Sequence, residues 1–116
     1  MIIGDLQSIN EHIEIEIDWL NAKKKEDVYA AFRKSLGIYG GGYSSDSLIN
    51  LITQPEDPVD CPIVFIVKNC SKYFEVNGYD DVVMHMMQII VEDKIYDFDS
   101  QQEYPCCFNL LTDKSL

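Results

Sequence analysis

Basic side chains are scarce in this sequence. Nine Lys and Arg stand against 20 Asp and Glu, a formal charge of −11 at pH 7 over 116 residues. Proteins that grip DNA or RNA neutralise phosphates with Lys and Arg, so this balance argues against nucleic acid as a partner. Anionic membrane surfaces are disfavoured for the same reason. The complementary partner is a basic protein. Long apolar runs are also missing, and none approaches the ~18 residues of a membrane span. Met1-Ile2-Ile3-Gly4-Asp5 lacks the basic and apolar stretches of a secretory signal, which makes the cytoplasm the expected compartment.

Ligand-like spacings are equally thin. Cys61, Cys70, Cys106 and Cys107 form no C-x-x-C pair, and His12 and His85 lie far apart in sequence. The thiols read as reduced, small core residues, with no zinc site. Neither histidine has an identifiable nucleophile to serve. Asp80-Asp81 and Asp97-Asp99 lack the spacing of a calcium loop and read as solvated acids. Gly40-Gly41-Gly42 leads toward a helix, where anions can bind. It carries no Walker lysine and no G-x-G-x-x-G spacing, and Asp46 follows it, so it reads as a connector. No metal, cofactor or catalytic residue is expected.

What is present is a core. Hydrophobic residues make up 47% and aromatics 11% of the chain, enough for a single domain over residues 1–116 and against intrinsic disorder. Residues 1–11 show no period and are read as an N-terminal extension or an extra edge strand. Ile13-Glu14-Ile15-Glu16-Ile17-Asp18-Trp19 alternates strictly, the mark of a half-buried strand. Val28, Phe32 and Leu36 recur at helical spacing between Glu26-Asp27 and Gly37, predicting a helix over 26–36. Residues 38–43 form a glycine-rich loop. Ser44 or Ser45 then caps a short helix over 45–53, with Asp46 in its first turn.

A proline-punctuated acidic connection, 55–62, precedes Ile63-Val64-Phe65-Ile66-Val67. That run is apolar without alternation, as in a strand covered on both faces. One helical turn is expected at Ser71–Phe74, a helix at 79–92, an acidic loop at 93–104 and a final strand at 106–111. Strands separated by helices predict an α/β fold, a three-stranded parallel sheet packed with three or four helices.

Charge is segregated along the chain. No basic residue occurs from Ser35 to Val67, and only Lys94 occurs from Tyr73 to Asp113, against nine acids. Brought together, the glycine loop, the 45–53 helix and the 79–92 helix would make one acidic face.

The order of elements, Lys25-Glu26-Asp27-Val28-Tyr29-Ala30-Ala31-Phe32 before Gly37, the Tyr39/Gly42 loop, and Asp46-Ser47-Leu48 opening a short helix resemble the barstar-like family. The likeness covers about residues 13–111. Gly42 fits the family's glycine and Asp46 its aspartate, whereas Ser44 and Ser45 replace an Asn and a bulky residue. Ile49 stands where a Trp is usual, and Asn50 stands where barstar carries its dominant inhibitory aspartate. Gln88 falls near a second inhibitory carboxylate, with Glu92 one turn later.

The resemblance implies a non-enzymatic immunity protein. It would act as a monomer that pairs with a cognate basic toxin, a ribonuclease or other nuclease, and occludes its active site. The expected binding residues are Tyr39, Gly41, Gly42, Tyr43, Ser44, Asp46, Ile49, Asn50, Gln88 and Glu92. Tyr39 and Tyr43 would be aromatic anchors, and the glycines would allow close approach. The changes at Ile49, Asn50 and Gln88 point to a toxin other than the family's best-known target. The rival readings are a metal- or nucleotide-dependent enzyme using the Asp-rich segments, and an acidic structural interaction module.

Overall fold

The alternating segment and the apolar run are neighbours in space. In the computed structural model, which describes residues 1–112, β2 (Ile13–Asp18) pairs in parallel with β3 (Ile63–Lys68), from Ile13↔Ile63 to Asp18↔Lys68. β3 pairs in parallel with β6 (Cys106–Leu110), placing Phe65 opposite Phe108. These are the three expected parallel strands. The sheet is nonetheless four-stranded and mixed, with β1 (Ile2–Ile3) at one edge, in the order β1-β6-β3-β2. β1 runs antiparallel along β6, with Ile2↔Asn109 and Ile3↔Phe108. The reason is a hydrogen-bonding requirement: the outer edge of β6 would otherwise leave backbone groups unpaired. The Leu110 N–H donates to Met1 O at 2.8 Å, and the Met1 amino group donates to Leu110 O at 2.9 Å.

Strand alternation divides the side chains between two faces. Ile15, Phe65 and Phe108 share one row beneath the helices, followed by Ile17, Val67 and Leu110 in the next. The Phe65 and Phe108 rings stack at 4.8 Å. The other face carries Glu14, Val64 and Cys107, then Glu16, Ile66 and Asn109. Val64 and Cys107 are buried with Ile9, and Leu6 packs beside them. The N-terminal residues therefore cover the back of the sheet, which is why β3 shows no polar alternation.

The helices follow their local chemistry. α1 (Lys25–Leu36) begins where the Asp27 carboxylate accepts the Lys23 and Lys24 N–H groups at 2.9 and 3.1 Å. These two bonds hold that carboxyl below its ordinary pKa. The helix ends at Gly37, whose φ of 66° is the left-handed cap. α2 spans Ser45–Thr53, as read from the sequence. α3 (Ser71–Asn77) is a helix of two turns rather than one and supplies the buried Tyr73 and Phe74. Trp19 lies among Phe32, Tyr73 and Phe74, at 6.3, 5.5 and 5.6 Å between ring centroids. That cluster locks β2 to α1 and α3.

Two boundaries differ from expectation. α4 is Val82–Asp93, not 79–92, because Asp81 caps it by accepting the Val83 N–H, while Tyr79 stacks on Phe74 at 4.7 Å. The segment 93–104 is not an open loop. It forms an antiparallel hairpin of β4 (Ile95–Asp97) and β5 (Gln102–Tyr104). Ile95 and Asp97 face inward, and both are buried.

Candidate partner-binding face

The glycine loop is held from inside the protein. Arg33 Nη1 donates to Gly42 O at 3.0 Å, and the Gly42 N–H donates to Ser47 Oγ at 2.8 Å. The Arg33 guanidinium also lies over the Tyr43 ring, 4.1 Å from its centroid, a cation–π contact. Gly41 and Gly42 have φ of 131° and 82°, a region that L side chains avoid. A Cβ at Gly42 would come within 3.0 Å of the Leu48 side chain. These glycines are required by the loop's conformation and by its close packing on α1 and α2.

Ser44 caps α2 by accepting the Ser47 N–H at 3.2 Å, and Ser45 Oγ is hydrogen-bonded to the Tyr29 hydroxyl at 2.7 Å. Asp46 sits in the first turn, exposed, where a carboxylate complements the helix dipole. Asn50 is exposed one turn further on the same face, whereas Ile49 is 9% exposed and belongs to the core. Ile49 therefore contributes packing rather than open surface.

α2 packs against α4, so the two helices expected to share a face do meet. On α4, Gln88 and Glu92 are exposed one turn apart, and Val82, His85 and Ile89 complete the outer stripe. The exposed carboxylates of the two helix faces are few, chiefly Asp46 and Glu92. Tyr39 is 91% exposed and Tyr43 67%. Of the ten expected residues, nine thus present surface or shape the loop, the exposed Ser44 serving also as a cap, and Ile49 is buried. Arg33 is the participant that sequence reading missed. Nothing in the spacing signals that its side chain turns back to the loop.

Both Asp-rich segments spend a carboxylate on structure. The Tyr73 hydroxyl donates to Asp81 at 2.7 Å, and burial, with that carboxylate beside it, drives the Tyr73 phenol well above its ordinary pKa. His85 Nε2 lies 2.8 Å from Asp80 Oδ1 on the surface. Asp97 accepts the Val59 and Ser100 N–H groups at 3.0 and 2.9 Å. Bonds from Ser100 and Val59 hold its carboxyl below the usual range. Among the described residues, no group of three or more His, Cys, Asp and Glu is placed to hold a metal, and no helix is long and apolar enough to cross a membrane.

The four cysteines are thiols, and Cys70, Cys106 and Cys107 are buried. Burial, with a smaller push from Cys107, raises the Cys106 thiol to about 12. Such a thiol is a packing group and a poor nucleophile.

A groove of about 420 Å³ opens beside the glycine loop. Buried Ile52, Phe65 and Ile95 line it, with Tyr39, Glu56 and Asp57 at its exposed rim. Comparison with protein-family models, curated proteins and solved structures found no match.

Proposed function

We propose that this chain is a barstar-like immunity protein, a cytoplasmic, non-enzymatic inhibitor that occludes the active site of a basic toxin, a ribonuclease or other nuclease. The observation that carries the reading is the packing of α2 along α4. α2 exposes Asp46 and Asn50, α4 exposes Gln88 and Glu92, and the glycine loop packed on α2 exposes Tyr39 and Tyr43. Aromatic side chains with polar groups around them are the composition of a binding hot spot. The charge of −11 draws a basic partner in and speeds association.

Two features of the face fit an unfamiliar target. Only Asp46 and Glu92 carry charge among the four polar helix residues, so recognition relies on amide hydrogen bonding as well as on carboxylates mimicking substrate phosphates. Ile49 is withdrawn into the core, leaving the aromatic contribution to the loop tyrosines.

Co-expression with the product of the adjacent gene tests the proposal. Expected is a toxic neighbour whose growth arrest is relieved by this chain and restored by D46K or Y39A. A harmless neighbour, or toxicity that persists despite the wild-type chain, overturns it.

A further inference from the structure

Tyr43 and Tyr39 differ in one respect. One face of the Tyr43 ring meets an arginine of its own chain, Arg33, at 4.1 Å. Tyr39, four residues earlier, is 91% exposed and sits on the rim of the groove that runs between the end of α1, the end of α2 and the Pro55–Val59 segment. The groove's inner wall is aliphatic and aromatic. Its rim carries the Glu56 and Asp57 carboxylates, both exposed, and no Lys, Arg or His lines it. Its volume of about 420 Å³ lies within the ~300–1,000 Å³ range of ligand pockets.

We infer that this groove receives an arginine side chain of the basic partner. The inference rests on the immunity reading and names one contact within it. Arginine matches each part of the groove. Its methylene stem covers apolar wall while its head stays near water. Its planar guanidinium stacks on an aromatic ring and hydrogen-bonds carboxylates with two parallel N–H groups. Lysine offers neither the plane nor the fork, and an acidic ligand is repelled by Glu56 and Asp57. The Arg33–Tyr43 contact is an example, in this same loop, of the stacking the partner's arginine would make on Tyr39. Tyr39 thus belongs both to the rim of the groove and to the expected binding residues.

The test uses the whole chain and butylguanidinium, an arginine side chain without its backbone, in a titration followed by amide NMR. Expected are saturable shifts at Gly37, Gly40, Ile52 and Val59, absent with hexanoate and weak with hexanol. E56Q/D57N, two exposed changes, weakens binding roughly fivefold, and Y39A weakens it as well. Absence of saturable shifts at these amides overturns the inference, as does a response to hexanol equal to that of the guanidinium. With a neighbouring toxin that the wild-type chain neutralises, E56Q/D57N is expected to lower affinity for it. Unchanged affinity overturns the groove's role and leaves the immunity reading standing. Failure of the wild-type chain to neutralise overturns that reading, and the butylguanidinium titration still decides whether the groove holds a guanidinium.

Discussion

Asp97 and Val59 are 38 residues apart, and the Asp97 carboxylate accepts the Val59 N–H at 3.0 Å. The bond ties the β4–β5 hairpin to the proline-punctuated segment that forms one wall of the groove. The same carboxylate accepts the Ser100 N–H at 2.9 Å, so one side chain closes the hairpin turn and fixes the wall. Its folded pKa is lowered, chiefly by the Ser100 and Val59 bonds. Its contribution to stability is present above the unfolded carboxylate pKa and is lost as pH falls through the folded value. D97A is therefore expected to lower the melting temperature at pH 7, with the gap from wild type closing below about pH 4. Scanning calorimetry across pH 2–7 checks this. A gap that persists unchanged at the acid end would contradict it.

The glycine loop predicts two opposite outcomes from the same substitution. Gly42 has φ of 82°, and a Cβ there meets Leu48 at 3.0 Å and Arg33 at 3.2 Å. G42A is expected to cost about 1–2 kcal/mol from backbone conformation alone, with crowding added. Gly40 has no neighbour within 4 Å of a built Cβ, and its φ is not among the positive ones. G40A is expected to be neutral or to stabilise by about 0.4–1 kcal/mol. Urea unfolding of both variants measures the contrast.

The stacked pair beneath the helices sets the largest expected loss. Phe65 and Phe108 are 1% and 0% exposed and stack at 4.8 Å. F65A or F108A is expected to destabilise by about 3–5 kcal/mol. The double variant should fall short of the sum by roughly 0.5–1.5 kcal/mol, the coupling of an aromatic pair. Chemical denaturation of the full cycle gives both numbers.

The thiols predict a graded reactivity. Cys61 is half-buried, and its thiol is raised by desolvation and by Asp60. Cys106 is raised to about 12 by burial, and Cys107 is raised as well by burial. In native protein at pH 8, a thiol-specific reagent should modify Cys61 first and leave Cys70, Cys106 and Cys107 until unfolding. Mass spectrometry of partly labelled protein reads the order. Early labelling of Cys106 would contradict the packing described above.

The local code carried most of the fold. The period of Ile13–Asp18, the helical spacing of Val28 and Phe32, and the Gly37 stop each depend on neighbours within a turn or two, and each element lies where it was expected. What local pattern leaves open or misses is non-local: residues 1–11 admit an extension or an extra edge strand. Ile2 and Ile3 become a strand only because Asn109 and Phe108 lie beside them. Asp97 reads as a solvated acid until the Val59 N–H is placed against it, so in sequence the hairpin around it reads as a loop. In the candidate face, Asp46, Asn50, Gln88 and Glu92 could be placed by helical periodicity. The Arg33 contacts with Gly42 and Tyr43 could not, because a flexible side chain's direction leaves no period in sequence.

The strand order has a consequence for synthesis. β6 is an interior strand, hydrogen-bonded to β1 on one side and β3 on the other, yet in chain order it follows every other described element. A ribosome adding ~5–20 residues per second makes β1 and β3 seconds before it makes the strand that joins them. Until then Phe65 has no ring to stack on, and the first residues have no edge to close. Assembly of this sheet is therefore gated by translation of residues 106–110, and a stalled or shortened message yields helices without the strand that unites them.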